Sequence, residues 1–199
     1  MLELRLGFLA SHGGSNMQAI IDACKNGTLN AVPVCIVSNN SNSGAMERAQ
    51  KENIPNYHIS SVQFSNQDEI DTAIIEVFDK HGVNIVILAG YMKKIGTKLI
   101  SHYKGRILNI HPALLPKYGG KGMYGNFVHS AVLKSGDKYS GPTVHIVDEH
   151  YDNGRILAQK QVPVYPDDTI ESLSERVLEQ EHIIFPETLQ KIAIGEIKL

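Results

Sequence analysis

The sequence predicts one α/β domain over its 199 residues: a mostly parallel, twisted sheet with helices on both faces and an antiparallel hairpin toward the C-terminal part. Three observations predict it. In the first half, short β-type runs alternate with segments of helical period, and a β-α-β-α-β order requires a parallel sheet covered on both sides. Residues 83–89 are the most hydrophobic run of the chain, as expected of a central strand buried on both faces. Later, Asp152-Asn153-Gly154 separates two more β-type runs, a strong hairpin signal. With 42% hydrophobic and 20% charged residues, a chain of this length can bury a proper core as a single domain.

Taken in order, Leu4–Ala10 reads as the first strand, and the start Met1-Leu2-Glu3-Leu4-Arg5 as strand rather than signal peptide. Ser15–Lys25 is a helix, with Met17, Ile20, Ile21 and Cys24 at helical spacing. Residues 32–38 form the second strand, and 42–52 a helix with Asn40 or Asn42 as its cap. A short third strand covers 56–60. Residues 67–81 are amphipathic, with Ile70, Ile74 and Phe78 on one face and Gly82 ending the helix. Beyond the strand at 83–89, Arg106-Ile107-Leu108 leads a further strand into Asn109. A glycine-rich loop over 118–125 precedes a helix containing Val128, Val132 and Leu133, and its 119–125 portion is the candidate mobile lid. Strands at 142–147 and 156–164 flank the hairpin signal, and 169–194 is mostly helix, interrupted near Pro186. There is no internal repeat or low-complexity linker.

Composition narrows the function. A net charge of −2 gives no electrostatic footprint for nucleic acid, so a small-molecule partner is expected. No apolar run is long enough to span a membrane. The two cysteines, Cys24 and Cys35, sit in apolar surroundings without CxxC spacing and read as reduced core residues of a cytoplasmic chain. Nine histidines raise the question of a metal, yet no HExxH or comparable spacing occurs. His145 and His150 beside Asp148 would chelate only by coincidence, and no metal is expected.

The segment Asn109-Ile110-His111-Pro112-Ala113-Leu114 carries the most chemical information. An amide able to donate to a developing oxyanion, beside an imidazole able to move a proton, would form a compact acyl-transfer site. Proline ends the strand there, and strand carboxyl ends are where ligands bind in open α/β sheets. A turn with two hydrogen-bonded polar residues is the alternative, and the segment alone does not separate the two. The loop Ala10-Ser11-His12-Gly13-Gly14-Ser15-Asn16 opens the first helix, where free amides and the helix dipole favour an anion such as a phosphate. The plain structural alternative is a tight turn with Ser15 or Asn16 as N-cap. The loop has neither GxGxxG spacing nor a P-loop Gly-Lys-Ser/Thr ending, so a small phosphate monoester fits better than NAD or ATP. Asp148 is the third candidate. Its carboxylate would hold the His111 imidazole charged or pass a proton through water, or simply begin a solvated hairpin.

Together these segments carry a family resemblance. Gly13-Gly14-Ser15-Asn16, Leu88-Ala89-Gly90-Tyr91-Met92, the run from Leu108 through Asn109 and His111 to Pro116, the run from Ser140 to Glu149, and Gln180-Glu181-His182 occur in this order. The chain resembles the phosphoribosylglycinamide formyltransferases of the folate-dependent formyltransferase superfamily. The resemblance implies a Rossmann-like first half, with phosphate binding in residues 1–100 and folate binding and catalysis in 101–199. It implies formyl transfer from 10-formyltetrahydrofolate, as co-substrate, to the amine of glycinamide ribonucleotide in purine biosynthesis, by direct attack through a tetrahedral intermediate. Asn109, His111 and Asp148 would be catalytic. Gly14, Ser15 and Asn16 would hold the phosphate and Glu181 the ribose hydroxyls. Met92, Lys93, Ile95, Val147, Asp148 and Glu149 would line the pterin pocket.

Lys93 stands where several relatives have arginine, residues 65–67 lack a basic residue that some place near the substrate, and Gly119 replaces a commoner proline. Two other readings stay open. One is another formyl-group enzyme, acting on a tRNA, a sugar amine or the formylfolate itself; the tRNA enzyme and the hydrolase would each need a further domain. The other is a non-catalytic binding module. A homodimer is compatible with the sequence but not required by it.

Overall fold

Alternation along the strands divides the apolar side chains between two layers of helices, and this division organises the molecule. The computed structural model describes residues 3–199; Met1 and Leu2, at the start of the expected strand-like segment, lie outside the described residues. The strands are β1 (Leu4–Ala10), β2 (Ala31–Ser38), β3 (Asn56–His58), β4 (Ile85–Leu88), β5 (Ile107–His111), β6 (Tyr139–Ser140), β7 (Thr143–Ile146), β8 (Ile156–Gln159) and β9 (Val162–Pro163). The helices are α1 (Ser15–Lys25), α2 (Gly44–Lys51), α3 (Gln67–Lys80), α4 (Thr97–His102), α5 (Asn126–Ser135) and α6 (Ile170–Ala193).

The main sheet has seven strands in the order β3-β2-β1-β4-β5-β7-β8, and β6 and β9 form a separate pair. From β3 to β5 every pairing is parallel; β7 and β8 add antiparallel strands at one edge. On one face, Leu6, Phe8, Ile36, Ile87 and Leu108 share a cluster with Met17 and Ile20 of α1 and Phe185 and Leu189 of α6. On the other, Leu9, Val37, Val86, Leu88 and Ile107 pack with Ile74 and Phe78 of α3 and Leu99 of α4. Successive strand residues point to opposite faces, so each central strand feeds both clusters. The expected mostly parallel sheet with an antiparallel edge is the observed one.

Several expectations are corrected. Helix α2 is capped by Ser43, whose side chain accepts from the Met46 amide, while the Asn40 amide oxygen accepts from Asn42 N at 3.1 Å in a turn of its own. Helix α4 has too few residues to show a period, and it is fixed from outside by a side chain of α3. The region 156–164 is two strands: β8 pairs with β7, and β9 leaves to pair with β6. Gly141 marks the switch, since a Cβ there would lie 1.8 Å from the Lys160 carbonyl oxygen. Helix α6 runs through Pro186 without a break. Proline removes one N–H, but Phe185, Pro186 and Leu189 are buried, and that packing outweighs the lost bond. The Asp152-Asn153-Gly154 signal does sit in an antiparallel hairpin, within a longer loop where Asp152 takes a left-handed φ of 55°.

The Gly141 approach gives a direct prediction. At φ 138°, Gly141→Ala places a methyl against backbone that cannot give way. The substitution is expected to lower stability by at least about 2 kcal/mol in urea unfolding. A midpoint equal to wild type would mean that the sheet switch does not depend on this contact.

Candidate active site

The carboxyl ends of β1, β4 and β5 lie side by side, because Leu9 is level with Leu88 and Leu88 with Asn109. β1 is also where the strand order reverses, with β2 on one side and β4 on the other, which is the usual position of a ligand crevice. The loops following β1 and β4 carry Gly14, Met92, Lys93 and Ile95 of the sequence-predicted residues.

Asn109 and His111 lie within β5, not beyond its end. Being two apart, they project from the same face, the one on which Ile107 joins the α3–α4 cluster. The antiparallel partner β7 sets His145 opposite Asn109. His145 Nδ1 lies 3.0 Å from the carbonyl of Ile146, an acceptor only, so this nitrogen carries the proton. Its Nε2 therefore accepts from Asn109 Nδ2, at 3.1 Å. Burial pushes the His145 imidazole below its ordinary value, consistent with a neutral ring in this role. The contact fixes the orientation of the Asn109 amide and leaves its second N–H available.

His111 is 3% exposed. Its Nε2 is 2.7 Å from the carbonyl of Tyr118, an acceptor only, and so donates to it. Facing Nδ1 at 3.5 Å is Asp152 Oδ2, and Asp152 Oδ1 lies 3.6 Å from His145 Nε2. The same Oδ2 accepts from Gly120 N at 2.9 Å, which ties the glycine-rich loop to the carboxylate. Asp148, the carboxylate expected beside His111, instead accepts from His150 N at 2.8 Å and closes a local turn. The structure thus corrects the acidic partner of His111 from Asp148 to Asp152. The reason is loop geometry: the chain after β7 turns at Asp148 and returns over the β5 face at Asp152. In sequence, Asp152 read only as hairpin chemistry and His145 only as an improbable metal ligand.

Helix α1 begins at Gly14, which takes the N-cap position at φ 70° and ψ 30°, with no side-chain hydrogen bond to the cap. Neither Ser15 nor Asn16 caps the helix, so both side chains remain at its first turn. Asn16 instead donates from Nδ2 to Glu181 Oε2 at 2.6 Å, joining residues 165 positions apart. Glu181 is 7% exposed, and burial pushes its carboxyl up to about 7, against a partial offset from the Asn16 bond. Asn16 Oδ1 is buried without a protein partner, as is His182 Nε2 elsewhere on α6. Polar groups of this kind are normally satisfied, so Asn16 Oδ1, beside the buried Glu181 carboxyl, marks a place that could receive a hydrogen bond.

The expected pterin pocket is brought together only in part. Ile95 is buried, and it shares a cluster with Val147, Tyr91 and Leu99 on the face from which Asn109 and His111 project. Met92 is 43% exposed although apolar, and Lys93 and Glu149 are exposed as well. Ser11 ties this loop to the first one: its hydroxyl accepts from Met92 N at 2.8 Å and donates to Asn39 Oδ1 at 2.5 Å. Cys24 and Cys35 are free thiols, pushed up by burial to about 11 and about 12, which suits neither for nucleophilic work. Among the described residues no helix is long and apolar enough to cross a membrane, and no cluster of His, Cys, Asp and Glu has metal-binding geometry.

Comparison with known proteins identifies the family. A family model described as formyl transferase matches residues 4–189. The chloroplastic phosphoribosylglycinamide formyltransferase of Arabidopsis thaliana is 44% identical over 195 residues, covering 98% of this chain and 67% of its own. The phosphoribosylglycinamide formyltransferase of Haemophilus influenzae is 38% identical, covering 98% of this chain and 90% of its own. Other relatives are much longer, and the chain spans only 14% of a trifunctional purine biosynthetic protein of Chironomus tentans. The crystal structure of glycinamide ribonucleotide transformylase 1 from Symbiobacterium toebii superposes with a TM-score of 0.93 at 34% identity, over 99% of this chain and 91% of that one. Matched over nearly its whole length by sequence and by fold, the chain belongs to the formyl transferase family, among the phosphoribosylglycinamide formyltransferases.

Proposed function

We infer that this protein transfers the formyl group of 10-formyltetrahydrofolate to the amine of glycinamide ribonucleotide, a step of purine biosynthesis. The observation that carries the chemistry is the convergence of Asn109, His111 and Asp152 on one face of the sheet. The amine attacks the formyl carbon, and negative charge develops on the formyl oxygen. Asn109, its amide oriented by His145, donates its free N–H to that oxygen. The proton released by the amine passes to the His111–Asp152 pair, directly or through water, and from there to the folate nitrogen as the carbon–nitrogen bond breaks. No covalent enzyme intermediate is needed. Removal of one oxyanion donor typically costs about 10²–10³ in turnover.

Substrate positioning follows the same geometry. Gly14, Ser15 and the first-turn amides of α1 suit a 5′-phosphate, which the helix dipole favours. Asn16 and Glu181, already in contact, would share the ribose hydroxyls. Met92, Lys93 and Ile95 with Val147, Asp148 and Glu149 would form the folate pocket. The ribonucleotide would then draw on both halves of the chain, as would the folate.

The primary test is formyl transfer followed by folate absorbance. Release that requires the ribonucleotide supports this reading; release without it would indicate a hydrolase. Asn109→Ala is expected to lower kcat by about 10²–10³. Asp152→Asn is expected to lower kcat by at least about tenfold with folding intact, whereas Asp148→Asn should keep kcat within about twofold at saturating folate. Equal effects of the two aspartate variants would remove Asp152 from the proton path.

Glu181 gives a pH prediction. Its carboxyl is raised from 4.5 to about 7 in the folded protein, so its favourable contribution is complete below the unfolded value and lost as pH rises through about 7. Wild type should therefore lose stability between about pH 5 and 8 relative to Glu181→Gln, by roughly 3 kcal/mol at most. The same variant should raise the ribonucleotide KM by about 10–100-fold through loss of a charged acceptor. Parallel pH–stability curves for the two proteins would count against an ionising buried Glu181.

A further inference from the structure

Asp71 lies on α3, away from the reacting groups, yet it is fully buried at 0% exposure. Three donors converge on its carboxylate. Gly96 N donates to Oδ1 at 3.2 Å, Leu99 N to Oδ2 at 3.0 Å, and Gln67 Nε2 to Oδ1 at 2.8 Å. Gly96 and Leu99 open α4, whose N-cap has no side-chain bond of its own. A side chain of α3 thus caps α4 from outside and fixes the point where residues 91–96 end. The other end of that segment is held by the bond from Met92 N to Ser11 Oγ. Between the two anchors Met92, Lys93 and Lys94 are exposed, while Ile95 is buried.

The anchor requires a carboxylate. Both of its oxygens face backbone N–H groups, and an asparagine would have to turn an NH₂ toward one of them. It also requires Gly96, because a Cβ there would lie 2.1 Å from Asp71 Oδ2. Tyr91 registers the same charge: its phenol is pushed up to about 12, first by burial and then by Asp71.

We propose that Asp71 is a positioning residue for folate binding, holding residues 91–96 in the shape that receives the pterin without touching either substrate. This rests on the reading of Met92, Lys93 and Ile95 as pocket residues. The test uses the full chain with Asp71→Asn, and with Gly96→Ala, which displaces the carboxylate without replacing it. Two readouts are combined: KM for each substrate, and the rate of tryptic cleavage at Lys93 and Lys94 with and without 10-formyltetrahydrofolate.

Both variants are expected to raise the KM for 10-formyltetrahydrofolate about tenfold, keep the ribonucleotide KM within about twofold, and speed cleavage at Lys93–Lys94 about tenfold. In wild type the folate should protect these lysines. Variants indistinguishable from wild type would overturn the proposal, as would an equal rise in both KM values or failure of both variants to fold. Faster cleavage with an unchanged folate KM would also overturn it. A wild-type loop that the folate does not protect would instead locate the failure in the pocket reading itself.

Discussion

The antiparallel pairing of β5 with β7 is the constraint on which the site depends. It sets His145 across from Asn109, where a ring held neutral by burial can only accept from the amide and so orients it. It also sends the chain beyond β7 into the loop that returns Asp152 to His111. β7 enters opposite His111 and leaves level with Leu108, so the loop beyond it must fold back across the β5 face to reach His111. The antiparallel edge therefore brings Asn109, His111, His145 and Asp152 together, whereas the parallel half before it supplies a rigid floor and a helix N-terminus.

Rigidity at the crest comes from few interactions, each between distant parts of the chain. Ser11 joins the loop after β1 to the loop after β4, Asn16 joins α1 to α6 through Glu181, and Asp71 joins α3 to the start of α4. Every one buries polar atoms, which is costly unless the partners are already in place. That cost is sustained by the two apolar clusters flanking the sheet. Their strands hold the loop ends within a register that side-chain rotation alone cannot change.

Glu181 illustrates how fold and function are coupled. A carboxyl raised to about 7 by burial is poorly solvated in the free protein, and the proposed ribose site would offer the hydroxyl donors that it lacks. The unpartnered Asn16 Oδ1 lies in the same cluster and has the same need. A hydroxyl donor brought to this cluster would relieve polar atoms left unsatisfied in the folded state.

The sequence by itself determined the sheet class, both central strands, α1 and its glycine-rich entry, the antiparallel edge, and the polar pair Asn109 and His111 within an apolar strand. These are local or periodic signals: alternation, helical spacing, breakers, and a polar pair within an apolar strand. The family resemblance added Asn16 and Glu181 as partners, but their contact across the chain is a product of folding. Tertiary structure alone decided which acid faces His111, because Asp148 and Asp152 share a loop and are distinguished only by how it folds back. It also decided the strand switch at Gly141, the unbroken helix through Pro186 and the capping of α4 by Asp71. In each of these a contact between segments remote in sequence outweighs the local preference, and such contacts leave no periodic trace in the chain.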